Sequence, residues 1–190
     1  MKKKKKEEEL EYTHGLRIPK ERVAVLIGKK GEIKKQIEDA TKTKITIDSK
    51  EGDVFISSKD ALNVYNTREL ITSIGRGFNP EVALLLLKVD YVFELINLND
   101  YIKSKNDLKR IKGRVIGTEG KCRRLIEKLT ECHICVYGKT IGIIGEVVNT
   151  PIARRAIENL LRGSPHGNVY KWLEKKRREM KKRELIEDFE

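Results

Sequence analysis

Apolar residues recur along the chain with two different periods, and the switches between them mark the elements. Leu10, Tyr12, Leu16 and Ile18 fall on alternate positions, a period of two that predicts a half-buried strand. His14 shares that face and reads as a packed or edge side chain. Pro19 ends the strand and opens a short helix over 20–26. Gly28 and Gly31 precede a second helix over 30–40, with Ile33, Ile37 and Ala40 on one side at i, i+4, i+7. Ile45 and Ile47 alternate with Lys44 and Thr46 in a strand. Residues 48–53, with Gly52, make a polar turn, and 54–56 return as the partner strand. Asp60 is placed to cap a helix carrying Val64, Leu70, Ile71 and Ile74. Gly75 and Gly77 end it, and Asn79-Pro80-Glu81 starts another over 82–87.

The same order then begins again. Residues 91–98 read as a strand, 108–115 as a short helix, and Gly117 and Gly120 as a second glycine pair. Leu125, Ile126 and Leu129 form the apolar side of the next helix. Strands over 132–136 and 141–144 flank Gly138, and 151–161 is a closing helix. A tight basic loop over 162–167 leads to a final helix starting near Asn168, which buries Val169, Trp172 and Leu173. Its continuation over 175–183 is almost wholly charged and is not expected to pack on a core. The halves match residue by residue: Glu38 falls on Glu127, Thr41 on Thr130, and Ile45-Thr46-Ile47 on Ile134-Cys135-Val136. A tandem repeat predicts two small domains, 10–88 and 89–190, after a charged lead over 1–9 expected to be disordered.

Charge sharpens this picture. A net charge of +12 over 190 residues points to a polyanionic partner, nucleic acid first. No apolar run is long enough to span a bilayer, and the basic start runs into Glu7-Glu8-Glu9 instead of a signal peptide. Three cysteines do not make a disulfide framework, so a cytoplasmic protein is expected. Lys and Glu abound while Gln36 is the single glutamine, a balance typical of hyperthermophile proteins.

Cys132-His133-Ile134-Cys135 has the look of half a zinc site, but in a strand Cys132 faces away from His133 and Cys135, and no second pair completes four ligands. Neither metal nor cofactor is expected. No nucleophile stands at a recognisable spacing from a base, and no acids cluster near either glycine pair, so no enzymatic activity is expected. What does concentrate is positive charge beside two phosphate-type loops: Lys29, Lys30, Lys34 and Lys35, then Arg114, Lys121, Arg123 and Arg124. Glycines let a ligand approach the backbone, and the following helix directs unpaired N–H groups at the same point. Lys29-Lys30 is cationic whereas Thr118-Glu119 carries a negative charge, so electrostatics alone favours the first cradle. Val25, Ile27 and Ile45, and Val115, Ile116 and Ile134, are placed to form an aliphatic floor under unstacked bases. Neither cradle has an aromatic neighbour in sequence, so strand backbone is expected to read base edges.

Both units resemble KH domains, whose G-x-x-G loop clamps a four-nucleotide backbone. The helix-strand-strand-helix continuation resembles type I: an α+β fold of two β-α-α-β-β-α units, each a three-stranded antiparallel sheet packed on helices, with an extra C-terminal helix. The commonest KH fingerprint has an aliphatic residue three places after the second glycine; Lys34 and Arg123 stand there, with Ile33 and Cys122 apolar instead. That departure, together with Gly163-Ser164-Pro165-His166-Gly167-Asn168-Val169-Tyr170, resembles the archaeal Dim/Pno family over about residues 10–174. The resemblance implies an assembly factor that binds the 3′ region of small-subunit rRNA. It implies work beside the endonuclease that trims that end and the enzyme that dimethylates it, and association with the alpha subunit of translation initiation factor two. It makes the second cradle the principal site: Gly117, Thr118, Glu119 and Gly120, helped by the flanking Arg114, Ile116, Lys121, Arg123 and Arg124, with Ile134, Ser164 and His166. Two other readings stand beside it: a twin-KH transcription or translation-initiation accessory factor, and a protein-docking scaffold in which one module no longer binds RNA.

Overall fold

The computed structural model describes residues 11–102 and 104–187; the charged lead over 1–9 and Leu10 lie outside them. The chain divides into two compact units between Leu87 and Lys88. The first runs β1 (Tyr12–Arg17), α1 (Lys20–Ile27), α2 (Glu32–Thr41), β2 (Lys44–Asp48), β3 (Asp53–Ser58), α3 (Ala61–Gly75) and α4 (Pro80–Ala83). The second runs β4 (Tyr91–Asn97), α5 (Lys105–Ile116), α6 (Lys121–Thr130), β5 (His133–Tyr137), β6 (Thr140–Glu146), α7 (Thr150–Leu161) and α8 (His166–Glu187). Each sheet is antiparallel, in the orders β1-β3-β2 and β4-β6-β5. The expected α+β arrangement of two βααββα units with an added C-terminal helix is therefore what the chain forms.

Each unit has its own core. Leu26, Ile37, Ile45, Ile56, Leu70 and Ile71 are fully buried in the first, and Ile111, Val115, Ile126, Ile134, Ile141 and Leu160 in the second. Each such side chain contributes roughly 1.5–3 kcal/mol relative to exposure. The helix faces differ slightly from the apolar pattern. Ala40 is exposed, and Thr41 takes the inward position, donating to the Ile37 carbonyl at 2.7 Å and sharing a 2.8 Å bond with the Thr43 hydroxyl. In α6 the buried positions are Cys122, Ile126 and Thr130, with Leu125 only half-buried and off that side. Thr130 donates to the Ile126 carbonyl at 2.8 Å. A threonine that satisfies its own hydroxyl on the preceding turn passes as an apolar residue.

Three boundaries move for local reasons. Helix α5 starts at Lys105, because the Ser104 hydroxyl accepts from the Asp107 N–H at 3.2 Å. Helix α8 starts at His166, where the Pro165 carbonyl accepts from the Asn168 and Val169 N–H groups. The segment expected over 82–87 begins at Pro80 and tightens to a 3-10 turn at Leu84–Leu87. Val169 and Leu173 are buried and Trp172 half-buried, as the pattern predicts. The charged continuation still touches its unit, through an Arg177–Glu131 ion pair at 3.8 Å and a half-buried Met180. Tyr12, expected to be half-buried, is 45% exposed.

The cysteines follow the register read from the strand. Cys122 and Cys132 are buried, while His133 is exposed and Cys135 half-buried on the opposite face. Burial pushes the Cys122 and Cys132 thiols above their ordinary pKa. Both therefore stay protonated and unreactive at pH 8. A thiol reagent at that pH is expected to label Cys135 first and the other two only on unfolding. Mass spectrometry of the labelled peptides checks the order.

Candidate nucleic-acid interface

Two glycine loops with one geometry sit at the N-termini of α2 and α6. The chain leaves α1 at Gly28 (φ 73°, ψ 180°), makes a single 3-10 turn over Lys29–Gly31, and enters α2 with Gly31 left-handed at φ 82°. Gly117 (φ 72°, ψ 174°), Thr118–Gly120 and Gly120 (φ 75°) repeat it within a few degrees. Even the non-glycine residue before each second glycine is left-handed, Lys30 at φ 55° and Glu119 at φ 53°. Each turn closes with bonds from Gly31 to the Gly28 carbonyl and from Gly120 to the Gly117 carbonyl. The N–H groups of the first-turn residues, Lys29-Lys30 and Thr118-Glu119, have no acceptor within their own turn, which is what a phosphate needs.

The two glycines of each loop serve different ends. A Cβ on Gly117 would lie 2.6 Å from Cys122 Cβ and 2.8 Å from its backbone N, and one on Gly28 would lie 2.9 Å from the Ile33 N. The first glycine lets the loop close onto the next helix. A Cβ on Gly31 would meet nothing within 4 Å, and one on Gly120 only the Arg124 guanidinium, at 3.4 Å. The second glycine faces open space.

The charges arrange differently in the two loops. Lys29, Lys30 and Lys35 are exposed, and Lys34 lies 3.8 Å from Glu38. In the second loop Lys121 lies 3.5 Å from Glu119, offsetting its charge, and Arg124 donates to the Glu119 carbonyl at 2.6 Å. The guanidinium thus braces the turn from beside Gly120. Lys121, Thr118 and Arg124 remain exposed.

The other wall of each groove is an edge strand, β2 or β5. Its first outward N–H is held by a carboxylate from the preceding helix: Glu38 Oε1 accepts from Ile45 at 2.7 Å and Glu127 Oε1 from Ile134 at 2.8 Å. Alternation in an antiparallel pair then turns the Ile47 and Val136 backbone groups outward as well. Arg123 lies 3.6 Å from Glu127 and donates to the Ile134 carbonyl at 3.1 Å, so it covers part of this edge. Replacing Glu127 with alanine leaves the Ile134 N–H without its acceptor and is expected to cost about 1–2 kcal/mol. Glutamine, which keeps the acceptor, should cost less; denaturant melts of both variants check this.

Arg114 is a structural tie. Its Nε donates to the Leu160 carbonyl at 3.0 Å and its Nη2 to the Ser164 carbonyl at 2.6 Å. In the first unit Arg22 makes the equivalent pair of bonds, to Ile74 at 2.9 Å and Phe78 at 2.6 Å, from one turn earlier on its helix. Ser164 therefore belongs to this tie through its backbone. His166 Nε2 donates to the Arg114 carbonyl at 2.8 Å.

Among the floor residues, Val115, Ile45 and Ile134 are fully buried and support the groove from below; Val25, Ile27 and Ile116 are half-buried and reach its surface. Rings that are remote in sequence do come to the second cradle. Tyr170 and His166, one turn apart on α8 with centroids 6.0 Å apart, line a cleft shared with Gly117, Thr118 and Lys121. Desolvation, then the neighbouring Cys122 thiol, push the Tyr170 phenol up to about 12, so it stays neutral. Reading His166 as the first residue of α8 would have put Tyr170 beside it at i+4. The roles of Glu38, Glu127 and Arg22 had no such signal.

Comparison with known proteins agrees with this geometry. Residues 92–178 match the second KH domain of Pno1, described as a eukaryotic type KH-domain (KH-domain type I), and residues 13–73 match the KH domain. A KH domain-containing protein of Methanocaldococcus jannaschii is 50% identical over 171 residues, covering 88% of this chain and 75% of that protein. RNA-binding protein pno1 of Dictyostelium discoideum is 30% identical over 168 residues, 85% of this chain and 70% of its own. Among solved structures, the chain of a complex of a/eIF2alpha, aDim2p and rRNA from Pyrococcus horikoshii OT3 is 48% identical. It superposes with a TM-score of 0.84 over 91% of this chain and 98% of that one. Two matched glycine cradles on two type I KH units, and this likeness over nearly the whole chain, place the protein in the archaeal Dim2/Pno1 family of tandem KH-domain proteins.

Proposed function

We propose that the protein is an RNA-binding assembly factor that holds the 3′ region of small-subunit rRNA as a single strand during pre-rRNA processing. The observation that carries this reading is the pairing of an open backbone turn with an exposed strand edge in each unit. A backbone phosphate fits the Thr118 and Glu119 N–H groups at the positive end of α6, with Lys121 and Arg124 outside it. Unstacked bases then lie along α5 and meet the outward backbone groups of β5, Arg123 moving from the Ile134 carbonyl as they enter. The first cradle binds a second stretch of the same strand, and linkage raises affinity by effective concentration.

The rRNA in the complex of the Pyrococcus relative supports the choice of RNA, and its a/eIF2alpha supports the alpha subunit of translation initiation factor two as a partner. The endonuclease that trims the 3′ end and the enzyme that dimethylates that region are proposed to share the bound RNA. The protein itself is proposed to supply no chemistry. Among the described residues no His, Cys, Asp and Glu side chains gather as a metal site, and no helix is long and apolar enough to cross a membrane.

Crosslinking in cells, followed by sequencing of the bound RNA, tests this. Reads should concentrate at the 3′ end of small-subunit rRNA. A spread over unrelated transcripts would favour a general transcription or translation accessory factor.

A further inference from the structure

The cleft beside the second glycine loop is not the groove against β5. It has a volume of about 480 Å³ and is lined by Arg110, Gly113, Gly117, Lys121, His166 and Tyr170. Positions 110, 113, 114 and 117 follow i, i+3, i+4, i+7 along one stripe of α5 and its exit. Lys112 and Ile116 lie around the helix from that stripe, on the groove side. The glycine loop stands between the two spaces, so a strand clamped there continues from the groove into the cleft.

Gly113 stands inside α5, on the cleft side. A glycine inside a helix costs stability, and nothing in the fold asks for one here. A Cβ at this position would meet nothing within 4 Å, and Gly113 has no left-handed φ. Such a position is explained by an incoming group that needs the wall to be low. The first unit lacks this arrangement. Counting from Gly28 as the second unit counts from Gly117, Glu21, Ala24 and Glu32 stand where Arg110, Gly113 and Lys121 stand; counting the last helix from Gly77 as from Gly163, Pro80 and Leu84 stand where His166 and Tyr170 stand. Leu84 packs against the first core. Among the described residues, an open backbone, two rings and two surface cations, Arg110 beside Asp107 at 3.3 Å and Lys121 beside Glu119 at 3.5 Å, meet on the unit that the family resemblance makes the principal site.

We infer that this cleft receives one nucleotide flanking those clamped by the second glycine loop. Its base stacks on the Tyr170 ring, with the His166 ring beside it at 57° to that plane, and its phosphate lies toward Lys121 and Arg110. This rests on the second loop binding single-stranded RNA. Stacking of one base is worth on the order of tenfold in affinity. The cleft also supplies a reason, beyond loop charge, for the second cradle to dominate although the first is more cationic.

The test uses the full chain and a fixed single strand of twelve nucleotides (on the order of two KH footprints) from the 3′ region of small-subunit rRNA. One abasic site is moved along it, which deletes a base without changing charge. For the wild type, a block of positions should respond, with one further position outside it losing roughly tenfold. In Gly113→Leu the response at that outer position should vanish, because the side chain fills the cleft. Leucine suits a helix interior better than glycine, so a stability gain in the same variant excludes unfolding as the cause. Tyr170→Leu, which installs the residue of the first unit, should behave alike. If the wild type shows the block but no outer response, or the variants keep the outer response, the inference is overturned and the clamp stands. If the wild type binds the strand with no sensitive block at all, the RNA-clamp reading itself fails.

Discussion

Gly120→Asp is expected to abolish tight binding to single-stranded RNA from the 3′ region of small-subunit rRNA while leaving the fold intact. The position is left-handed at φ 75°, which aspartate tolerates better than most residues, and a Cβ there meets only the mobile end of Arg124. The new carboxylate would stand where the phosphate is proposed to dock. Two like unit charges about 6 Å apart at an effective dielectric near 20 repel by about 3 kcal/mol, a loss of roughly 100-fold. Gly31→Asp in the first loop should cost less, on the order of 1–2 kcal/mol. The exposed Lys29-Lys30 pair favours the opposite ranking, because it makes the first loop the better electrostatic trap. Titration of both variants decides between them: loss in the first-loop variant with retention in the second reverses the assignment.

Gly117→Ala should act on stability instead of recognition, and more severely than Gly120→Ala. Gly117 combines φ 72° with ψ 174°, a region that side chains all but never occupy. Its Cβ would press on the Cys122 Cβ and backbone nitrogen at 2.6 and 2.8 Å, atoms in the first turn of α6 that cannot step aside. Strain and contact together are expected to cost about 3 kcal/mol, against about 1 kcal/mol at Gly120, where only the positive φ is at stake. Equal losses in urea melts of the two variants would contradict this division of labour within the G-x-x-G loop. The division also decides how the cradle should be mutated, since replacing both glycines together mixes unfolding with lost binding.

The fold was legible because the repeat exposed it. A period of two that changes to 3.6, twice and at one spacing, is hard to produce by any other arrangement. The errors lie where a polar residue behaves as an apolar one or a cap stands outside the pattern. Thr41 and Thr130 point inward because each hydroxyl is satisfied on the preceding turn. Ser104 starts α5 inside a charged run that hydrophobic periodicity cannot see.

The site was legible as a loop and a surplus of charge, but sequence spacing does not say which charges are free. Arg114 and Arg123 are arginines beside a glycine loop like Arg124, yet the first is a tie between backbone elements and the second rests on the Ile134 carbonyl. Tyr170 reaches the cradle from 50 residues downstream of Gly120, and only the packing of α8 brings it there.

The most direct test of the account is a parallel titration of the intact protein with a single-stranded RNA from the 3′ region of small-subunit rRNA and with a duplex of the same sequence, each at several salt concentrations. An open turn facing a strand edge reads unpaired bases, so the single strand should bind more tightly by about 100-fold or more. Its affinity should fall steadily with salt as phosphate contacts release counterions. Equal affinity for strand and duplex, with the same dependence on salt, would show attraction by charge alone and would contradict a clamp built on the two glycine loops.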